Sequence, residues 1–306
     1  MMNTNTQKLL IWIKAFRLRT LPLALSSAVL GSFLSFAHGR FKWYILLLAV
    51  STTLFLQILS NLANDYGDAM HGTDNDKRIG PRRFTQSGLI SGKQMRIMIA
   101  VFIMLSLASG SLLIFTGLHH LSWKTILVFF ILGFSAIYAA IKYTIGKNPY
   151  GYIGLGDLFV FIYFGIVGVA GTYYLHMNTF DPWILLPASA IGLLSSGVLN
   201  LNNMRDIEND ARSGKRTLVV HIGSHAAKIY HLILITLSIL FSLVYTIVKF
   251  NSAYQFLFIL TCPLFALNVI VVMKNTNPQE LNAELKKLAL TTFAFSITFG
   301  IGLIIK

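Results

Sequence analysis

Two polar stretches of an otherwise apolar chain repeat one another in residue type and spacing. Asn61, Asp65 and Asp68 form the first, and Asn202, Asp206 and Asp210 form the second. Intervals of three and four residues put each set on one face of a helix, so each is a one-sided cluster of carboxylate and amide oxygens. Carboxylates held this close repel unless a cation neutralises them. An oxygen-only donor set, without His or Cys, favours a hard ion such as Mg2+, which keeps waters and completes its shell with substrate phosphate oxygens. Cations follow at once: Lys77, Arg78, Arg82 and Arg83 after the first stripe, Arg212, Lys215 and Arg216 after the second. Guanidinium forks bind phosphate and carboxylate bidentately. The chemistry implied is a divalent ion gripping a phosphorylated substrate. One acidic loop kept for solubility would explain a single stripe; two matching stripes, 141 residues apart, point to a shared task.

The elements that carry these residues are membrane helices. Of the 306 residues, 55% are hydrophobic and 12% charged, about half the charged fraction of a soluble domain. Apolar runs of sufficient length for a ~30 Å hydrocarbon core fall at Thr20–Ala37, Trp43–Leu62, Met95–Leu118, Thr125–Tyr143, Tyr152–Leu175, Trp183–Leu201, Ala226–Val248, Ala253–Val272 and Leu288–Ile305. The expected fold is therefore all-α, a polytopic bundle of nine transmembrane helices. With the N-terminus inside, 20 of the 25 Lys and Arg residues fall on the inner side, and only Arg40, Lys42, Lys124, Lys249 and Lys306 fall outside. That asymmetry is the positive-inside signature. It places the N-terminus and both stripes on the cytoplasmic side of a cell membrane. It also accounts for most of the net charge of +14 without a nucleic-acid partner, and no basic block with interleaved aromatics is present. Lys8 to Arg19 and the following apolar run are expected to be an uncleaved first helix, because the run is long for a signal peptide. Cys262 is alone, which excludes an intrachain disulfide. No feature of the sequence specifies an oligomer.

Among the remaining polar residues, Asp157 falls about one turn inside the fifth helix, and an ionisable group at that depth is a functional candidate. A carboxylate satisfied by backbone amides near a helix start is the alternative. Arg17, Arg19, Arg82, Arg83 and Lys215 are candidates for anion contacts, with ordinary inner-side anchoring as the alternative for each. Glu280 to Lys287 reads as an amphipathic surface turn. His221 and His225 have metal-compatible spacing but lie in a polar stretch expected to be a solvated loop.

Four stretches of this sequence resemble the UbiA superfamily of intramembrane aromatic prenyltransferases, and within it the 1,4-dihydroxy-2-naphthoate polyprenyltransferase branch. They are Phe16 to Ala24, Gln57 to Asp68, Arg78 to Arg83 continuing through Gln86-Ser87-Gly88, and Asn202 to Asp210; Tyr138-x3-Lys142 and Gly154-Leu155-Gly156-Asp157 are lesser matches. The resemblance covers essentially the whole chain, as one membrane domain with two pseudo-similar halves, about 1–147 and 148–306. It implies a helical bundle around a central cavity open sideways to lipid, with the Asp-rich motifs at its mouth. It further implies that Mg2+ held by Asn61, Asp65, Asp68, Asn202, Asp206 and Asp210 grips the diphosphate of a polyprenyl diphosphate. Arg17, Arg19, Gln57, Asn64, Arg82, Arg83, Gln86, Asn203 and Lys215 are then expected at the substrates, and Asp65, Asp206, Lys142, Tyr138 and Asp157 at the reaction. Ionisation gives an allylic carbocation, which the ring of 1,4-dihydroxy-2-naphthoate attacks with loss of carbon dioxide to give a demethylmenaquinol.

Lys142 lies one turn after Tyr138 on the same face and is expected to face the cavity; snorkelling to the interface is the alternative. Phe159, Phe161, Tyr163 and Phe164 are candidates for shielding a carbocation with their ring faces, although membrane-helix aromatics more often pack or face lipid. Two positions depart from the pattern. Gly72 stands where a further acid is common, with Asp74 two residues later, and Leu18 replaces the usual Pro. Another aromatic acceptor, such as 4-hydroxybenzoate, remains the rival within the enzyme class. An ion-coupled transporter is the rival outside it, but that reading calls for midplane ionisable groups and matched helix breaks.

Overall fold

The computed structural model describes residues 4–74, 79–80 and 83–305, so Asp76, Lys77, Arg78 and the candidate Arg82 lie outside the described residues. Eleven helices are used here: α1 Thr4–Ala15, α2 Leu21–Ala37, α3 Trp43–Met70, α4 Gly92–Leu118, α5 Trp123–Lys142, α6 Gly156–Met177, α7 Leu185–Arg205, α8 Ile207–Arg212, α9 Leu218–Val248, α10 Ala253–Lys274 and α11 Leu281–Ile304. Among the described residues nine helical stretches are long and apolar enough to cross a membrane, matching the number read from the apolar runs. No strand occurs among the described residues. This is a multi-pass membrane protein.

Three helices run well past their apolar segments. α3 continues to Met70, α9 begins at Leu218, and α11 begins at Leu281. Apolar composition marks where hydrocarbon is, whereas a helix stops only where its backbone bonding is interrupted or capped. Thr217 supplies such a cap for α9, its hydroxyl accepting from the Val220 N–H at 3.3 Å. His221 stands on the short turn this cap starts, its Nδ1 bonded to the Thr217 carbonyl at 2.8 Å, and His225 on the longer run that follows a kink at Gly223 (φ 79, ψ 164).

The bundle is organised around α7. In its apolar window 72% of residues are buried, against 6% for α5, which is peripheral. α7 packs on α9, α6 and α11, while α3 packs on α4, α2 and α5. α2 lies along α11, bringing the first span against the last. The largest core cluster joins Leu30 and Leu34 of α2 to Ile191 and Leu194 of α7 and Phe295 and Phe299 of α11. In α6, residues Phe161–Ala170 wind as a π-helix, a form that is rare and concentrated at functional sites; nothing in the apolar pattern marks it.

The two ends of the bundle differ in chemistry. At one, Arg40 Nη1 bonds the Met177 carbonyl at 3.3 Å and Lys249 pairs with Asp181 at 3.0 Å. At the other lie both Asn/Asp stripes and the loops that follow them.

Candidate active site

The first stripe is one turn-aligned face of α3. Asn61, Asp65 and Asp68 are all buried, as are Asp206 and Asp210, and each of these four carboxylates is 3% exposed or less. Burying ionised carboxylates is costly unless they are paired and hydrogen-bonded, and their partners define the site.

Asp68 is the most heavily engaged. Its carboxylate receives Arg83 Nη2 at 3.0 Å and the Tyr152 hydroxyl at 2.9 Å, with Lys215 Nζ at 3.6 Å. Lys215 also reaches Asp210 at 3.9 Å. One ammonium thus stands between a carboxylate of the first stripe and a carboxylate of the second. Arg83 is 6% exposed and spans Asp68 and Asp74, its Nε donating to Asp74 at 3.2 Å. Its Nη1 is buried without a hydrogen-bond partner among the described residues.

The departure at Gly72 is explained here. Gly72 takes φ +70 with open space around it, a left-handed turn suited to glycine at a helix end. The turn folds the chain back, so that the Thr73 and Asp74 N–H groups both bond the Asp68 carbonyl, at 3.0 and 3.3 Å. Asp74, two residues on, is buried beside Asp68 on the shared partner Arg83.

Asp65 is engaged by the backbone of the loop that follows α3. Its two oxygens accept the N–H groups of Phe84 and Thr85, at 3.0 and 2.9 Å, pinning the loop that carries Arg83. Asn61 uses its amide nitrogen on the Phe16 carbonyl and Thr20 Oγ1, both at 3.0 Å, and its oxygen accepts from Gln57 Nε2 at 3.3 Å. Asn61 and Gln57 therefore tie α3 to the turn between α1 and α2. In that turn Arg17 adopts φ 53, and Leu18, in place of the usual Pro, is exposed; Arg17 is half-buried and Arg19 exposed. Asn64 accepts from Thr144 Oγ1 at 3.3 Å. Gln86 is exposed on the Arg83 loop.

The second stripe is not a straight repeat of the first. α7 ends at Arg205 and α8 starts at Ile207, with Asp206 at the break (φ −99, ψ 10). The spacing still works because Asp206 N–H bonds the Asn202 carbonyl at 3.2 Å and Asp210 N–H bonds the Asp206 carbonyl at 2.8 Å. Arg205, buried to 2% exposure, forks onto both oxygens of Asp206 at 3.0 and 2.5 Å and reaches Asn202 Oδ1 at 2.8 Å. Asn203 is buried on α7, and its Oδ1 has no partner. Asn209 Nδ2 bonds the Thr73 carbonyl at 2.8 Å, joining α8 to the loop after α3.

Tyr138 and Lys142 both lie on α5. Tyr138 is 64% exposed, in an outward stripe of α5 with Leu127, Ile131 and Phe134. Lys142 Nζ donates to the Lys147 carbonyl at 2.6 Å. Helical spacing puts both on one side of α5, the span whose apolar window is the least buried of the nine. Asp157 is buried near the start of α6; its carboxylate accepts from its own backbone N–H and from the Tyr230 hydroxyl of α9 at 3.4 Å. Of the four aromatics, Phe159 stacks on Tyr150 at 4.0 Å and Tyr163 follows at 6.1 Å, while Phe161 lies against Gly192 of α7.

Sequence reasoning missed Tyr152 and Arg205 as site residues. Tyr152 donates to Asp68, shares a 2.6 Å contact with Thr73 Oγ1, lies under the Lys215 ammonium at 5.3 Å, and accepts the Arg216 N–H at 2.9 Å through its carbonyl. Burial, then the Asp68 charge, holds its hydroxyl above the usual tyrosine range, so it stays a donor. No spacing rule marks it. Arg205 did have a signal, since it sits between Asn202 and Asp206, but charge placement alone made it one more inner cation.

Among the described residues no three Asp, Glu, His or Cys side chains close on a single point. The donor set nevertheless suits a hard divalent ion completed by phosphate: Asp68 and Asp210 already face one shared cation, the other oxygens belong to Asp and Asn, and the unpartnered Arg83 nitrogen is a ready anion donor.

Residues 24–296 match the UbiA prenyltransferase family. A 1,4-dihydroxy-2-naphthoate octaprenyltransferase of Haemophilus influenzae is 43% identical over 98% of this chain and 97% of its own length. The protein of the same name from Escherichia coli K12 is 39% identical, covering 95% and 94%. A UbiA homolog from Archaeoglobus fulgidus, solved bound to DMAPP and Mg2+, superposes with a TM-score of 0.59 at 16% identity, over 94% of this chain and 98% of that one. The converging carboxylate stripes, the nine spans and a family match over most of the length agree: the chain belongs to the UbiA prenyltransferase family.

Proposed function

We propose that this protein transfers a polyprenyl group from polyprenyl diphosphate to 1,4-dihydroxy-2-naphthoate, with decarboxylation, giving a demethylmenaquinol. The observation that carries the reading is the meeting of Asp68 and Asp210 at Lys215, which joins one stripe from each half, 1–147 and 148–306, into one anion-handling site. The relatives at 43% and 39% identity carry the acceptor's name and favour naphthoate over 4-hydroxybenzoate. The two carboxylate stripes meet at one end of the bundle, against the midplane sites of an ion-coupled transporter.

Mg2+ would be held by Asp68 and Asp210, with Asn61, Asp65, Asn202 and Asp206 completing the oxygen set, and when bound it supplies charge neutralisation for the departing diphosphate. The chain's own cations serve the same charge. Arg83 presents its free Nη1 to a phosphate oxygen, and Lys215, cushioned on Tyr152, provides a second positive charge. Arg17, Arg19, Arg82, Gln57, Asn64, Gln86 and Asn203 remain proposed substrate contacts. As the allylic C–O bond breaks, diphosphate leaves with the electron pair; the ring carbon bearing the carboxylate forms the new C–C bond, and loss of carbon dioxide returns the electrons to the ring. The rings of Tyr150, Phe159 and Tyr163 offer faces to the allylic cation, and Asp157, backed by Tyr230, is placed to orient an acceptor hydroxyl. The weight of Lys and Arg at the carboxylate end supports a cytoplasmic site in the cell membrane.

The test is to incubate membranes with labelled polyprenyl diphosphate and Mg2+ together with 1,4-dihydroxy-2-naphthoate or 4-hydroxybenzoate. Labelled demethylmenaquinol from the first alone is expected. Product only with the second reassigns the acceptor, and uptake without product in either arm overturns the enzyme reading.

A further inference from the structure

The second carboxylate stripe is held by a residue 77 positions away. Arg205 spends Nε and Nη2 on Asp206 and Asn202, and its remaining nitrogen, Nη1, donates to Asn282 Oδ1 at 2.9 Å. Asn282 stands on the first turn of α11, the last span, and its own amide is steadied by the Gln279 carbonyl at 3.2 Å. That turn is fastened in place. Glu284, expected on an exposed amphipathic turn, is buried at 4% exposure. It accepts Asn268 Nδ2 from α10 at 2.8 Å and Lys287 Nζ at 2.6 Å, and Asn268 Oδ1 is bonded to His231 of α9 at 3.0 Å. A buried polar chain therefore links the last three spans and ends within one turn of the residue that grips Arg205.

We propose that Arg205 is the positioning residue of the second stripe and that Asn282 is its anchor, so that the start of the last span sets the orientation of Asp206 and Asn202 toward metal and diphosphate. The inference rests on the prenyltransferase reading above and deepens it. An arginine held at one nitrogen and forked at the other two has its plane fixed, and with it the direction of both carboxylate oxygens. Released at Asn282, the guanidinium swings and Asp206 follows.

The test uses the full-length protein in detergent or membranes, with Asn282→Ala and the acceptor-retaining Asn282→Asp. Two quantities are read: Mn2+ affinity by titration without substrate, and the half-saturating Mg2+ for prenyl transfer alongside KM for the naphthoate. Asn282→Ala is expected to weaken both metal terms about tenfold, the scale of one hydrogen bond to a charged group, with KM for the naphthoate unchanged and Asn282→Asp close to wild type. Unaltered metal terms in Asn282→Ala, or equal losses in both variants, overturn the proposal. A wild-type protein that binds Mn2+ but forms no product overturns the prenyltransferase reading instead, because the titration does not depend on turnover.

Discussion

Replacing Tyr152 by Phe removes one oxygen from the centre of the carboxylate cluster and leaves the ring in place. The hydroxyl donates to Asp68 at 2.9 Å and takes the 2.6 Å contact with Thr73, both buried. A hydrogen bond to a charged partner is worth about 1.5–3 kcal/mol, and the Thr73 contact is recoverable because threonine can turn to another acceptor. At about 1.4 kcal/mol per decade, loss of the Asp68 bond corresponds to a roughly 10- to 100-fold fall in prenyl transfer. Asp68 keeps Arg83 and Lys215, so the protein should still fold and insert. The ring still lies under Lys215, and Tyr152→Ala should fall further by the cation–π contribution, about 0.5–2 kcal/mol. Transfer of label from polyprenyl diphosphate to 1,4-dihydroxy-2-naphthoate, measured across a Mg2+ series, reads the effect, with a higher half-saturating Mg2+ expected in the Phe variant. Activity within twofold of wild type at every Mg2+ concentration would refute the assignment of Tyr152 to the Asp68 cluster.

Alanine at both Asp65 and Asp206 should abolish transfer at low Mg2+; retained activity there would sink the metal assignment. Gly67→Ala would drive a Cβ to 2.5 Å from Thr144 Oγ1 and 2.7 Å from the Thr144 carbonyl oxygen, an overpacking that costs about 1–3 kcal/mol. Thermal denaturation should therefore drop for Gly67→Ala, and activity with it, as the loop bearing Tyr152 is pushed from α3. Arg83→Met leaves Asp68 and Asp74 short of their shared partner in a buried site; breaking such a pair costs about 3–5 kcal/mol, and a diphosphate KM as well as a melting temperature measured for this variant should both worsen. Tyr138→Phe and Lys142→Met should keep turnover within a few-fold of wild type, since Tyr138 is exposed and Lys142 is bonded to the Lys147 carbonyl, and a hundredfold loss of turnover in either would place α5 in the site.

The helix inventory and the polar end of the bundle were legible in the sequence because both follow from local quantities. A run of apolar residues specifies a span by length alone, and intervals of three and four specify a shared face wherever the helix continues. The same local logic placed Asn61, Asp65 and Asp68 on one buried side of α3. It mistook Glu284 for a surface residue, because amphipathic spacing at a span's start says nothing about Asn268 and His231 arriving from neighbouring helices. It also put His221 and His225 in a loop, where the Thr217 cap starts a short helical turn that a kink at Gly223 separates from the rest of α9.

Sequence by itself determined that this chain has nine apolar spans, that its carboxylates come in two matching sets beside cations, and which family those residues resemble. Tertiary structure alone decided which oxygen meets which nitrogen. Lys215 joins the two stripes, Asp74 pairs with Arg83, and Asp65 accepts the N–H groups of Phe84 and Thr85. Arg205 answers to Asn282, and Tyr138 faces outward. The reason is physical: periodicity fixes the direction of a side chain about its own helix axis, but its partner depends on how separate helices pack, rotate and end, and those outcomes depend on contacts between residues far apart in the chain.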